Sequence, residues 1–367
     1  MANFDLMPFL AMVIVQVGYA GMSFISKLAM DDGMNPFVLI TYRQIIATVA
    51  TAPFAFFLER KTRPKITVPI LFHIFLSSLT GAFMSQVFFF LGLDNSSPII
   101  TGAMTNTLPA MTFVFALIFK QESFSIKTKA GRAKVVGTLL CVGGAMLLSF
   151  YHGHTIAGSN SGINWNYAEK MTDKRSTHKS HSILGPCLLF CSSSSWALWF
   201  IIQAKLSPTF PAPYTTTTLM CLMASIECSI VGAATECNAV AWSLRSMIRL
   251  ITVFYAGIVS SALVFCIMSW CVHRKGPLYT SVFSPLLLVM STLLSWALLG
   301  EKLYVGTLVG AVLVIVGLYL VLWGKGKEAE RARITNEVEA AAEYCEKEDS
   351  ELQLQPHANC KSRQYPN

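Results

Sequence analysis

Two residues stand out because their chemistry does not suit their surroundings. Glu227 lies inside TTTTLMCLMASIECSIVGAA, and Arg43 lies nearly two turns into PFVLITYRQIIATV; each is the one carboxyl or guanidinium group of an apolar run. Ionisable groups inside a bilayer are expensive, so they face a cavity or a partner. A carboxyl placed like Glu227 suits a proton carrier or a binder of a cationic group, with a neutral Glu that joins two helices by hydrogen bonds as the equal alternative. Arg43 could grip a carboxylate with two parallel hydrogen bonds. A packing Arg, or an ion pair with Asp31 and Asp32 of the next loop, competes with that reading.

Uncharged candidates for substrate contact are Gln16, Gln86, Thr105, Asn106, Trp196 and Ser284. Most Ser, Thr and Asn in membrane helices only bond to neighbouring helices. The segment TNTLP is the exception: Pro109 has no N–H and frees a carbonyl about one turn earlier, beside Thr105 and Asn106. Ser284 and Pro285 repeat the arrangement opposite Thr105. Two helix breaks at matching positions point to a binding site. No Walker loop, GxSxG or HExxH is present, and the ten Cys include no CxxC and no Cys/His metal spacing. An enzyme, a cofactor and a metal are therefore not expected.

These side chains need helices to carry them. Residues 98–122 hold no charge until Lys120 and as a helix would rise about 36 Å, enough to cross a bilayer. Shifted by 179 positions they meet residues 277–301, with Pro first, Thr fourth and Glu twenty-fifth in both copies. Gly137 and Gly144 are spaced as Gly310 and Gly317, and residues 36–59 and 213–236 both run from Pro to Glu. The chain is a five-helix unit written twice. An odd number of crossings inverts the second copy, the common plan of secondary transporters.

Composition agrees: 53% of the 367 residues are hydrophobic, 13% are charged and the mean hydropathy is +0.53, which excludes an ordinary soluble domain. The fold class is an all-α polytopic membrane protein with spans near 8–29, 37–58, 68–91, 98–119, 133–151, 183–205, 214–235, 251–271, 278–299 and 303–323. Residues 8–151 form the first repeat, 152–182 an extracytosolic linker, 183–323 the second repeat and 324–367 a cytosolic tail, largely disordered with a surface helix in EAERARITNEVEAAAEY. With the N-terminus cytosolic, sixteen Lys and Arg fall inside and eight outside, so both termini are expected in the cytosol. The net charge of +8 reads as this topology signal, not as a nucleic-acid surface.

KLAMDDGMNPFVLITYRQ, PFAFFLERKTRPK, YAGIVSS, GPLYTSVFSPLLLV and LLGEKLYVGTLVGAVLVIVGLYLVLWGK resemble the plant nodulin-21-like proteins, also called WAT1-related or UMAMIT transporters, of the drug/metabolite transporter superfamily with two EamA-type halves. The resemblance implies ten helices around a central cavity, peripheral fifth and tenth helices, and bidirectional transport of amino acids, or of auxin, in a plant. By it, Gln16, Arg43, Glu59, Pro109, Gly276, Pro277, Pro285, Gly300 and Glu301 occupy characteristic positions, whereas Glu227 stands where Gln is expected. The expected partners are a small-molecule substrate and the lipid bilayer, without nucleic acid; the oligomeric state is open, a homodimer included. The plasma membrane is the expected location, with the vacuolar membrane as the alternative. A membrane scaffold or receptor acting through the tail is the competing class, and deletion of residues 327–367 separates it from a transporter, which should keep its flux.

Overall fold

The computed structural model describes residues 6–96, 98–121, 128–151, 155–157, 183–236, 241–244, 246–299 and 303–354. Among the described residues it is all-helical apart from one short strand pair, with ten spans in two inverted five-helix repeats. The first half contains span 1 (Leu6–Asp31), span 2 (Pro36–Glu59), span 3 (Val68–Ser77, Ser78–Met84 and Ser85–Asp94), span 4 (Pro98–Thr105 and Leu108–Ile118) and span 5 (Lys129–Phe150). The second contains span 6 (Leu184–Thr209), span 7 (Pro213–Thr235), span 8 (Met247–Lys275), span 9 (Pro277–Ser281 and Ser284–Leu299) and span 10, which begins at Val305. Among the described residues, nine helices are long and apolar enough to cross a membrane; span 4 is assembled from two shorter pieces.

Helix ends alternate between two faces. One carries Glu59, Ile118, Thr209 and Lys275 and is the basic face; the other carries Asp31, Asp94, Phe150 and Thr235 and is the linker face. At the linker face Thr155–Ala157 pairs antiparallel with Leu303–Tyr304, tying the start of the linker to the start of span 10. Linker residues 158–182 lie outside the described residues. The helix of span 10 runs on to Leu354, taking in the stretch EAERARITNEVEAAAEY that is expected as a surface helix. The Ala, Glu, Lys and Arg of this extension are strong helix formers, and Lys327 pairs with Glu330 one turn on at 2.8 Å.

Spans 2 and 7 pack antiparallel, and each half caps the other. The Glu59 carboxylate accepts hydrogen bonds from the Tyr214 N–H at 2.9 Å and the Thr215 N–H at 2.6 Å, first-turn amides of a helix whose own cap residue, Ala212, has no side-chain acceptor to offer. At the linker face Glu236 accepts from Asn35 Nδ2 at 3.0 Å, while Asn35 Oδ1 caps Phe37 N–H. This explains the repeated Pro-to-Glu pattern. Pro opens a helix without a lost hydrogen bond, and the Glu at its far end serves the opening of its partner from the other half.

Spans 5 and 10 pack mainly on each other through glycines. A Cβ added at Gly137 would lie 2.7 Å from the Gly317 carbonyl oxygen and 2.9 Å from the Val321 nitrogen, and one at Gly144 would lie 2.9 Å from the Gly310 carbonyl. Because backbone blocks the way, Gly137→Ala must push the helices apart, with an expected loss of about 1–3 kcal/mol. Gly143, with open space at its Cβ, is the control. Thermal unfolding in detergent should show a lower transition for Gly137→Ala and an unchanged or higher one for Gly143→Ala.

Lys134 departs from its expected role as a solvated topology charge. It is 1% exposed and pairs with Glu328 at 2.7 Å, because span 5 starts four residues earlier than the hydropathy indicates and draws Lys134 into the contact with span 10.

Candidate functional site

The centre of the molecule is built from spans 2 and 7, each flanked by a widened turn from the opposite half. Spans 3 and 8 contain π-helical segments, Ser78–Met84 and Ala256–Leu263, at corresponding places in the two repeats. Such segments interrupt the regular backbone ladder and recur at functional sites. Each holds a glycine where the other half presses in. Gly81 lies under the Trp199 ring; a Cβ at Gly257 would meet Ile46 at 2.6 Å and the Arg43 carbonyl at 3.1 Å.

Arg43, 1% exposed, donates from Nε to Ser261 Oγ in the π-segment of span 8, at 2.5 Å. Its Nη2 is buried and has no hydrogen-bond partner among the described residues. The tyrosine of span 1, Tyr19, lies within electrostatic reach of the guanidinium. On the other side of the helix pair, Glu227 Oε2 accepts a hydrogen bond from Ser78 Oγ at 3.1 Å, in the π-segment of span 3. Glu227 Oε1 is likewise enclosed without a partner among the described residues. The two halves thus exchange one contact each: an ionisable group of span 2 or 7 against a serine of the other half's π-segment.

Their depth follows from the packing register. Thr41 lies against Gly232 and Glu59 against Tyr214, which places Arg43 level with residue 230. Glu227 is one turn away, about 4.5 Å along the axis. The two groups share a level but open to different sides, Arg43 toward spans 1 and 8 and Glu227 toward span 3. The alternative ion pair of Arg43 does not form with Asp32, which is held by Arg249 at 3.0 Å. Arg43 turns instead to Ser261.

Spans 4 and 9 are both broken. The breaks fall at Asn106–Thr107 and Val282–Phe283, and Pro109 and Pro285 are the second residues of the helices that resume. The prolines are 176 positions apart, not 179, so Ser284 corresponds to Leu108 and the expected match with Thr105 is displaced by about one turn. The freed polar groups are partly engaged: the Met104 carbonyl accepts from Thr107 N–H, Thr107 Oγ1 and Ser193 Oγ, and the Thr105 hydroxyl donates to the Thr101 carbonyl at 2.8 Å. Asn106 is buried; Ser284 and Gln86 are half-buried.

The spans meet through their basic-face pieces, 277–281 on 108–118, where Phe283 contacts Phe9 and Tyr279 at ring distances of 5.7 and 5.4 Å. Their linker-face pieces have different main neighbours, span 6 for 98–105 and span 1 for 284–299, although both also touch span 5. Thr105 and Ser284 sit where the two spans part.

Gln16 is buried in span 1, one turn before Tyr19. Trp196 is half-buried in an aromatic cluster with Trp199 at 5.2 Å and Phe265 at 5.9 Å. Sequence reasoning missed Ser78, Ser261, Ser77 and Gln203; the last donates to Ser77 Oγ at 3.1 Å. A signal for one of them exists: Gly81/Ser85 and Gly257/Ser261 are the same G-x-x-x-S, 176 positions apart. Gly300 and Glu301 lie outside the described residues, as does the side chain of Asp31. Among the described residues no cluster of His, Cys, Asp and Glu could hold a metal ion.

Inverted halves that meet across buried charges, with helices interrupted on both sides, define a multi-pass membrane transporter for a small molecule. Comparison with known proteins places it further: the chain belongs to the EamA-like transporter family, whose model matches residues 6–150 and 183–323, one copy per half. Similar proteins include a WAT1-related protein of Arabidopsis thaliana, 36% identical over 319 residues (87% of each chain), and another 38% identical over 327 residues (89% of this chain, 92% of the relative). The Arabidopsis protein WALLS ARE THIN 1 is 35% identical over 343 residues, covering 91% of this chain and 87% of its own. A solved crystal structure superposes with a TM-score of 0.58 at 16% identity over 84% of this chain and 96% of its own, a likeness of fold alone.

Proposed function

We propose that the protein carries amino acids across the plasma membrane, as a bidirectional facilitator or a proton-linked carrier, with both termini in the cytosol. The observation that carries this reading is Arg43: a buried guanidinium with one N–H group satisfied by Ser261 and Nη2 left open is suited to a substrate carboxylate. Gln16, Gln86, Thr105, Asn106, Trp196, Glu227 and Ser284 supply further contacts around the helix breaks at Pro109 and Pro285. The pieces 108–118 and 277–281 of spans 4 and 9 pack together at the basic face. Alternating access then requires the pieces 108–118 and 277–281 to separate as 98–105 and 284–299 approach.

An auxin-like aromatic carboxylate is the second reading, favoured by the aromatic cluster at Trp196. Uptake and efflux of labelled amino acids and of auxin, in oocytes or yeast at two pH values, separate the two. The amino-acid reading expects flux of at least one amino acid above vector controls in both directions. Flux of auxin with none of any amino acid would overturn it. The proposed orientation predicts that a tag within residues 158–182 is labelled from outside intact cells; labelling only after permeabilisation would reverse it.

A further inference from the structure

Where spans 5 and 10 leave the apolar zone at the basic face, a cleft of about 450 Å³ opens between them. Lys129, Lys327 and Arg331 line it, with Trp323 and Ile334 beside them and Glu330 as the single acidic group. Glu330 is engaged with Lys327 at 2.8 Å, so the lining keeps two more positive charges than negative ones. Lys129 is also the first residue of the span 5 helix. The opening turn adds the positive end of its dipole to the same cleft, where Thr128 Oγ1 accepts the Gly131 N–H at 3.1 Å.

The position matters as much as the charge. Trp323 is partly exposed near the end of the apolar part of span 10, at the level where indole rings settle between hydrocarbon and water. Lys327 and Arg331 follow it one and two turns later on the same helix. A molecule filling the cleft therefore meets an apolar wall on its membrane side and cationic groups on its aqueous side. That is the profile of a lipid whose headgroup carries negative charge, with an acyl chain running down past Trp323. Basic pockets between membrane helices on the cytosolic side bind such headgroups.

We propose that this cleft is a binding site for an anionic phospholipid, held through its phosphate by Lys129, Lys327 and Arg331. The site lies outside the central helix pair and is independent of which substrate the protein moves. Glu330 tunes it: while paired it withholds Lys327, and an arriving phosphate competes for that ammonium.

The test uses the full-length protein in phosphatidylcholine nanodiscs, titrated with phosphatidylserine and followed by native mass spectrometry and Trp fluorescence. Saturable binding of phosphatidylserine is expected, with affinity falling about fivefold for each neutralised contact, so about 25-fold in Lys129→Gln/Arg331→Gln. Glu330→Gln should bind more tightly than wild type. Thermal unfolding of each variant without added lipid identifies any that fail to fold. Where the double variant is unstable, Lys129→Gln alone is compared with Lys129→Arg, which keeps the charge and should retain wild-type affinity. Equal affinities in wild type and the neutralised variants overturn the proposal. Displacement of the lipid by millimolar inorganic phosphate would also overturn it, assigning the cleft to a soluble anion.

Discussion

Arg43→Lys is expected to lower transport of a carboxylate substrate about 10- to 100-fold while leaving the protein folded. The guanidinium has two tasks: its Nε holds Ser261 in the π-segment of span 8, and its Nη2 is available to a ligand. A lysine ammonium is a point charge on a flexible stem and does not reproduce a fixed fork. It can serve Ser261 or the substrate, but not both at the original geometry. Hydrogen bonds to charged groups contribute about 1.5–3 kcal/mol, and about 1.4 kcal/mol is tenfold, which sets the range. Arg43→Ala should do more, because it strands Ser261 and empties a large buried volume; loss of folded protein is the expected outcome there. The diagnostic comparison is between an acid and its neutral amide analogue. If Arg43 binds the carboxylate, Arg43→Lys suppresses transport of the acid and leaves any residual transport of the amide unchanged. Wild-type rates for the acid in Arg43→Lys would assign the residue to packing alone.

The same residue marks how far the sequence can be read. That Arg43 is buried follows from an uncharged run around it, since a lone charge in a bilayer must be enclosed. Its partner does not follow. Asp31 and Asp32 are near in sequence, whereas Ser261 is 218 positions away and is brought close only by inversion of the second half. Glu59 is the opposite case. The spacing Pro36–Glu59 and Pro213–Glu236 is visible as a repeat, and in the folded chain Glu59 caps span 7 directly while Glu236 holds Asn35, the cap residue of span 2, so the pattern reports an interaction and not only ancestry.

Local backbone geometry is the least legible part. Proline breaks are encoded directly, because Pro109 and Pro285 lack the N–H that would continue the ladder. The π-segments are not, since widening a turn leaves the apolar stretch continuous and no residue type forbids the ordinary helix. They are specified by contact: Gly81 admits Trp199 and Gly257 admits Ile46. Lys134 illustrates the same limit in charge. A lysine near a helix start is expected in water, yet its partner Glu328 lies 194 positions on, in a part of span 10 that continues beyond the bilayer. Hydropathy averages over windows, whereas these placements depend on single neighbours.

Glu227 combines both limits, and its substitution tests the coupling of transport to protons. A proton carrier must pass between its neutral and charged forms during the cycle. In this conformation one oxygen receives Ser78 Oγ at 3.1 Å and the other is enclosed without a partner among the described residues. Such an oxygen is a place for a proton or for a substrate ammonium. Glu227→Gln keeps the size and the acceptor for Ser78 but can neither release nor take up a proton. If the protein is proton-linked, this variant should lose the pH dependence of its flux and its ability to concentrate substrate, while still exchanging substrate down a gradient. Glu227→Ala should be worse in a different way, leaving Ser78 unpaired at a loss of about 1–3 kcal/mol in stability. Ser78→Ala is the companion variant: it removes the hydrogen bond but keeps the carboxyl, so it should move the pH profile without flattening it. Flux measured across a pH series in all three, alongside thermal unfolding, distinguishes the roles. Should Glu227→Gln keep both the wild-type rate and the wild-type pH profile, the carboxyl only joins spans 3 and 7, and facilitated diffusion without proton coupling is the function that stands.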